Sequence, residues 1–144
     1  MLKGISPLIS PELLKCLAQM GHGDTIVIGD CNYPATSTCK KSVRADGVKA
    51  TDLVAAILEI LPLDVDEPGA PVTLMGSTDH PDMRPEIWNE FEKIVLEKEP
   101  KATFDSTDRF GFYEKTKDAF VSVQTSEEKY FGCIILRKGV WFTK

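Results

Sequence analysis

Two histidines are the only side chains in this sequence that titrate near neutral pH without a large environmental shift. His22 lies in Met20-Gly-His-Gly-Asp24, between a helix end and a strand. The flanking glycines let the backbone turn tightly and leave room for a ligand beside the imidazole. The same position suits a histidine that caps a helix and interacts with its dipole, and spacing alone does not choose. His80, in Thr78-Asp-His-Pro81, reads as an ordinary loop residue. Asp30, Arg109 and Tyr113 complete the set. An imidazole, carboxylates, a guanidinium and a phenol suit proton transfer and hydrogen bonding to a neutral, hydroxyl-rich ligand.

Other chemistries lack their residues. A metal site needs three or four ligands at workable spacing; His22, Asp24 and Asp30 are too few, with no H-x-x-x-H pattern, so no metal is expected. No G-x-S-x-G elbow supports a serine hydrolase. No G-x-G-x-x-G or P-loop is present, so a dinucleotide or nucleotide function is not supported. Cys16, Cys31, Cys39 and Cys133 form no C-x-x-C pair; they read as reduced thiols in an apolar setting.

The elements that must position these groups follow from patterning. Ser10 is a natural N-cap and Pro11 fits the first helical position. Leu13, Leu14, Leu17 and Ala18 form one apolar face, and Gly21 supplies a left-handed stop. The run 25–30 reads as a buried strand that ends on Asp30. A helix from Ala50 or Thr51 carries Leu53, Val54, Ile57, Leu58 and Leu61 and ends at Pro62. A second buried strand spans 71–76. A third helix carries Ile87, Trp88, Phe91, Ile94 and Val95. Asp108 caps a fourth with Phe110, Tyr113 and Lys117, and 120–125 and 130–136 read as strands. The order α-β-α-β-α-α-β-β predicts a layered single α/β domain over 1–144, with a mostly parallel sheet flanked by helices. Ligands in such sheets collect at the strands' C-terminal ends, which points to Asp30.

Bulk properties agree. One domain fits 144 residues. The formal charge of −5 argues against nucleic acid as a partner, and Lys40, Lys41 and Arg44 read as a solvated loop. No apolar stretch approaches the ~18 residues of a membrane span, and no secretory signal is evident. A cytoplasmic protein is expected.

Several short segments together carry a resemblance. These are 2–14, Met20-Gly-His-Gly-Asp24, Asp30-Cys-Asn-Tyr-Pro-Ala35, Arg44-Ala-Asp-Gly47, Leu61-Pro-Leu-Asp64, Arg109-Phe-Gly-Phe-Tyr-Glu114 and 132–139. In this order, over essentially the whole chain, the sequence resembles the fucose mutarotase branch of the fucose mutarotase / ribose pyranase family. The resemblance implies interconversion of the anomers of a free sugar without a cofactor. It also implies a homo-oligomeric ring, typically a decamer, with sites at subunit junctions. His22 then matches the proton donor, Tyr113 a catalytic or substrate-contacting tyrosine, and Asp30 and Arg109 substrate-binding positions. Asp64 matches a further substrate-binding position, one implicated in some members. The family usually has Tyr-Gly-Asn before the last strand; here Phe131, Gly132 and Cys133 stand there, so two polar groups are replaced at a substrate-binding segment.

The chemistry is coherent. An anomer inverts when the sugar ring opens to the aldehyde and recloses on the other face. Opening delivers a proton to the ring oxygen and removes one from the anomeric hydroxyl. An imidazole, ordinarily titrating near pH 6.5, can serve in either direction. L-fucose is the expected sugar. Pyranose/furanose interconversion of ribose and silent sugar binding are the alternatives.

Overall fold

The structure is a computed structural model that describes residues 1–143. Helix α1 (Pro11–Gln19) begins where Ser10 Oγ accepts a hydrogen bond from Leu13 N at 3.1 Å. It ends on Met20 in extended backbone, not on a left-handed Gly21, and leads into β1 (Thr25–Gly29), short helix α2 (Ala35–Thr38) and β2 (Ser42–Ala45). Helix α3 (Ala50–Leu58), β3 (Val72–Gly76), α4 (Ile87–Lys98) and β4 (Phe104–Asp108) follow. Helix α5 (Arg109–Thr116), β5 (Val121–Thr125) and β6 (Ile134–Arg137) complete the chain.

The strands form one sheet in the order β2-β5-β1-β6-β3-β4. Only β6 runs against its neighbours, with Thr25 opposite Arg137 and Ile28 opposite Ile134. The expected α/β sheet is therefore present. One face, with Ile26, Ile28, Leu74, Val121, Val123, Ile134 and Leu136, packs on α1, α3 and α4. The other face carries Val27, Met75 and Ile135 against Tyr33, Phe112, Cys39 and Ala119. Residues alternate between faces, as the pleat requires.

Three elements were not in the sequence reading: α2, β2 and β4. The segment 40–44, read as a solvated loop, overlaps edge strand β2, whose Arg44 is exposed and paired with Asp46 at 2.9 Å. Strand β4, Phe-Asp-Ser-Thr-Asp, lies at the opposite edge. Helix α3 stops at Leu58 rather than Pro62: Glu59 N and Ile60 N bond to the carbonyls of Ala56 and Ile57, so the last turn tightens to i→i+3 before the proline. Strand β6 starts at Ile134, leaving Tyr130–Cys133 as its entry turn.

Candidate functional site

The sequence-predicted residues separate into two groups at opposite ends of β1. At its N-terminal end, His22 Nε2 lies 3.2 Å from Asp64 Oδ1. The ring is 44% exposed while the Asp64 side chain is only 5% exposed. The other oxygen, Asp64 Oδ2, accepts from Arg137 Nε at 2.9 Å. The backbone brings these groups together: Asp64 N donates to Arg137 O at 3.0 Å, and Gly23 N to Lys138 O at 2.8 Å. Because β6 is antiparallel to β1, its end returns to the start of β1, where His22 waits.

A carboxylate can only accept hydrogen bonds. The neutral His22 ring facing Asp64 therefore carries its proton on Nε2, an assignment made from the partner's chemistry. Nδ1 is then the unprotonated nitrogen, free to exchange a proton with a ligand.

The second group forms at the C-terminal end of β1. Asp30 Oδ1 accepts from Asn32 N at 3.0 Å. Burial pushes the Asp30 carboxyl above its ordinary value; the N–H groups of Asn32, Tyr33 and Gly132 and the Cys133 thiol, which donates to it, pull partly back. Cys133 is 1% exposed, and burial, followed by the Asp30 charge, pushes its thiol well up. It is a neutral donor beneath Asp30. Gly132 is required by space, since a Cβ there would stand 2.8 Å from Glu127 Cγ. Phe131 has φ +62°, a left-handed conformation rare for an aromatic residue.

Helix α5 supplies Arg109 and Tyr113. Asp108 caps it, Oδ1 accepting from Gly111 N at 2.8 Å. The Arg109 guanidinium stands 4.6 Å from the Phe110 ring centroid and 6.0 Å from that of Tyr113. The Tyr113 ring leans on Tyr33 with centroids 6.0 Å apart. Burial raises the Tyr113 hydroxyl's pKa and Cys133 adds to that, while Arg109 opposes it. At neutral pH the phenol keeps its proton and can donate to a sugar hydroxyl.

Asp30, Arg109, Tyr113 and 131–133 thus share one end of the sheet. His22 stands at the other, with Asp64, which the resemblance had grouped with the sugar-binding positions. Within the chain it is Asp64, not Asp30, that lies against the imidazole. Sequence reasoning did not single out Arg137 at all. Its one signal was its place two residues before Gly139, a residue whose added Cβ would meet Leu63 O at 2.6 Å. Among the described residues, no cluster of three or more histidine, cysteine or acidic side chains could hold a metal ion, and no helix is long and apolar enough to cross a membrane.

The layered α/β sheet presents a half-exposed imidazole held by a buried carboxylate, a pair that can exchange protons. The chain belongs to the RbsD / FucU transport protein family, whose model matches residues 3–141. It is 44% identical over 143 residues to the fucose mutarotase of Mus musculus, covering 96% of this chain and 94% of that protein. The fucose mutarotase of Streptococcus pneumoniae, solved with L-fucose, superposes with a TM-score of 0.90 at 38% identity, covering 98% of this chain and all of that one. RbsD of Bacillus subtilis, solved with D-ribose, shares the fold (TM-score 0.71) at 22% identity, covering 99% of this chain and 100% of that one.

Proposed function

We propose that this protein interconverts the anomers of free L-fucose by acid–base ring opening and closing. One observation carries the chemistry: His22 is half exposed, and its Nε2 is held by the buried Asp64 carboxylate. That contact leaves Nδ1 as the working atom. It takes the proton of the anomeric hydroxyl as the bond from the anomeric carbon to the ring oxygen breaks and the ring oxygen receives a proton from the Tyr113 phenol, which burial keeps protonated at neutral pH; the roles reverse on closure. Positioned acid–base groups of this kind accelerate such steps roughly 10²–10⁴-fold. Asp30, Arg109 and Tyr113 hold the sugar's hydroxyls. Gly132 lets the turn pack closely on Glu127 and Lys129, Cys133 supports Asp30 from beneath, and Phe131 offers an apolar face to the sugar's C–H groups. The likeness to fucose mutarotases, one solved with L-fucose, supports this sugar; the ribose-bound relative supports the fold alone.

The two groups must meet on one sugar, yet β1 separates them. Its four residue steps span about 13 Å, and one monosaccharide does not bridge that distance together with the flanking turns. The reading therefore places the site between copies, with His22 of one facing Asp30 of the next. Such a head-to-tail contact closes into a ring when its rotation allows, in keeping with the homodecamer the family resemblance implies. The partner is a neutral monosaccharide, with no nucleic acid or membrane. Four free cysteines suit a reducing, cytoplasmic setting.

Exchange NMR on equilibrated L-fucose tests the proposal. Cross-exchange between anomer signals at sub-stoichiometric protein is expected, and D-ribose should exchange more slowly. His22→Ala should remove most of the exchange while the protein stays folded. A folded His22→Ala variant as active as the parent would overturn the mechanism. Sugar binding without exchange by the parent would leave a silent binding protein.

A further inference from the structure

We infer that Arg137 is a positioning residue for His22, acting through Asp64; this rests on the reading that His22 exchanges protons with the sugar. Arg137 spends its donors inward. Nε donates to Asp64 Oδ2 at 2.9 Å, and Nη2 donates to the Asp64 main-chain carbonyl at 3.1 Å and to Gly69 O at 3.2 Å. The guanidinium is a rigid planar fork that remains charged at any pH the protein meets. It therefore fixes both the carboxylate and the backbone behind it. Gly69 is part of the device, because its φ of +89° is one that other residues rarely adopt.

The need for such a clamp follows from burial. Asp64 is 4% exposed, and a buried carboxylate without a partner is costly. His22 alone cannot supply that partner, because a neutral imidazole offers one hydrogen bond and no charge. With Arg137 on Oδ2, the carboxylate plane is set and Oδ1 is aimed at Nε2. Without it, the carboxylate turns to find other donors and the Nε2 proton loses its fixed acceptor. The imidazole then samples both tautomers and both ring orientations. Fewer molecules present a bare Nδ1 to the sugar. Because Arg137 touches Asp64 rather than the reacting atoms, the loss falls on turnover rather than on sugar affinity.

The test measures kcat and KM for fucose anomer exchange, together with the ¹⁵N spectrum of the His22 ring without sugar. The chain's only other histidine is removed by His80→Gln. The variants are Arg137→Met, Arg137→Lys, Asp64→Asn and the double change. Arg137→Met should lower kcat about 10- to 100-fold, the range expected when a catalytic group is misplaced, with KM within about twofold. The ring spectrum should move from the Nε2–H form toward a tautomer mixture. Arg137→Lys, which keeps the charge but not the fork, should recover part of both. In the Asp64→Asn background, Arg137→Met should cost little more, since the two act as one unit. Should Arg137→Met fail to fold, Arg137→Gln takes its place with the same expectations. A rise in KM at constant kcat would overturn the inference by making Arg137 a sugar contact. An unchanged ring spectrum, or a full additional loss in the Asp64→Asn background, would overturn it too. If the parent exchanges no fucose, the mutarotase reading fails, while the ring spectrum still decides the link from Arg137 to His22.

Discussion

His22 and Asp30 stand at the two ends of the same strand: His22 three residues before Thr25, Asp30 immediately after Gly29. Ile26, Val27 and Ile28 of β1 are paired on both sides, to β5 and to β6, while Thr25 pairs with β6 and Gly29 with β5. The strand cannot shorten, so the two side chains cannot meet within one copy. Each end instead carries its own organised group, with a buried carboxylate behind the imidazole at one and a half-buried carboxylate above a thiol at the other.

Co-expressing His22→Ala with Asp30→Ala tests the shared site. Each variant alone should be nearly inactive. In randomly mixed rings, about a quarter of the junctions pair an intact His22 with an intact Asp30, so about a quarter of parental activity should return. Activity that stays at the level of the single variants, in rings shown by mass spectrometry to be mixed, would place the whole site within one copy.

The replaced polar positions predict a weak grip on the sugar. Phe131 offers a ring face but no hydroxyl, and the Cys133 thiol is a poorer partner than an amide. Cys133 is 1% exposed and lies against Asp30, so only position 131 can regain a direct contact. One net hydrogen bond contributes about 0.5–1.5 kcal/mol, so restoring it should tighten binding roughly 2- to 10-fold. Phe131→Tyr should lower KM for L-fucose and leave kcat within a few-fold. A kcat gain of orders of magnitude at constant KM would move this position into the proton-transfer machinery.

Asp30 makes stability depend on pH. Its carboxyl is raised in the folded protein, chiefly by burial. Between the unfolded and folded values the native state therefore binds more protons than the unfolded chain. The stability this contributes is complete below the ordinary carboxylate value and is lost as pH rises through the folded value. Asp30→Asn keeps an acceptor for Asn32 N and removes the buried charge. It should melt higher than the parent at pH 7, and the gap should close as pH falls below about 3.9. A gap that is constant with pH would mean that packing, not ionisation, sets it. Sugar exchange by this variant should fall, since the carboxylate is a stronger acceptor for hydroxyls than an amide.

How much of this was legible in the sequence can be read from particular elements. The buried parts announced themselves. Ser10 and Pro11 started α1 as expected, because capping is a local contact between neighbours in sequence. The runs around Ile26 and Leu74 read as strands because both faces of the sheet are covered and demand continuous apolar residues. The edge strands were silent. Ser42–Ala45 and Phe104–Asp108 carry exposed polar residues, and each is a strand only because β5 or β3 offers it backbone partners. The types and local settings of His22, Asp30, Arg109 and Tyr113 were equally visible as candidate chemistry. Which of them stand together was not. His22 and Asp64 are 42 residues apart, and only the reversal of β6 against β1, with the bridge between Leu63 and Lys138, brings them into contact. Local sequence determines what each side chain can do and what conformation its neighbours prefer. Strand order and direction depend on burying every apolar face at once, so they alone decided that Asp64 rather than Asp30 holds the imidazole.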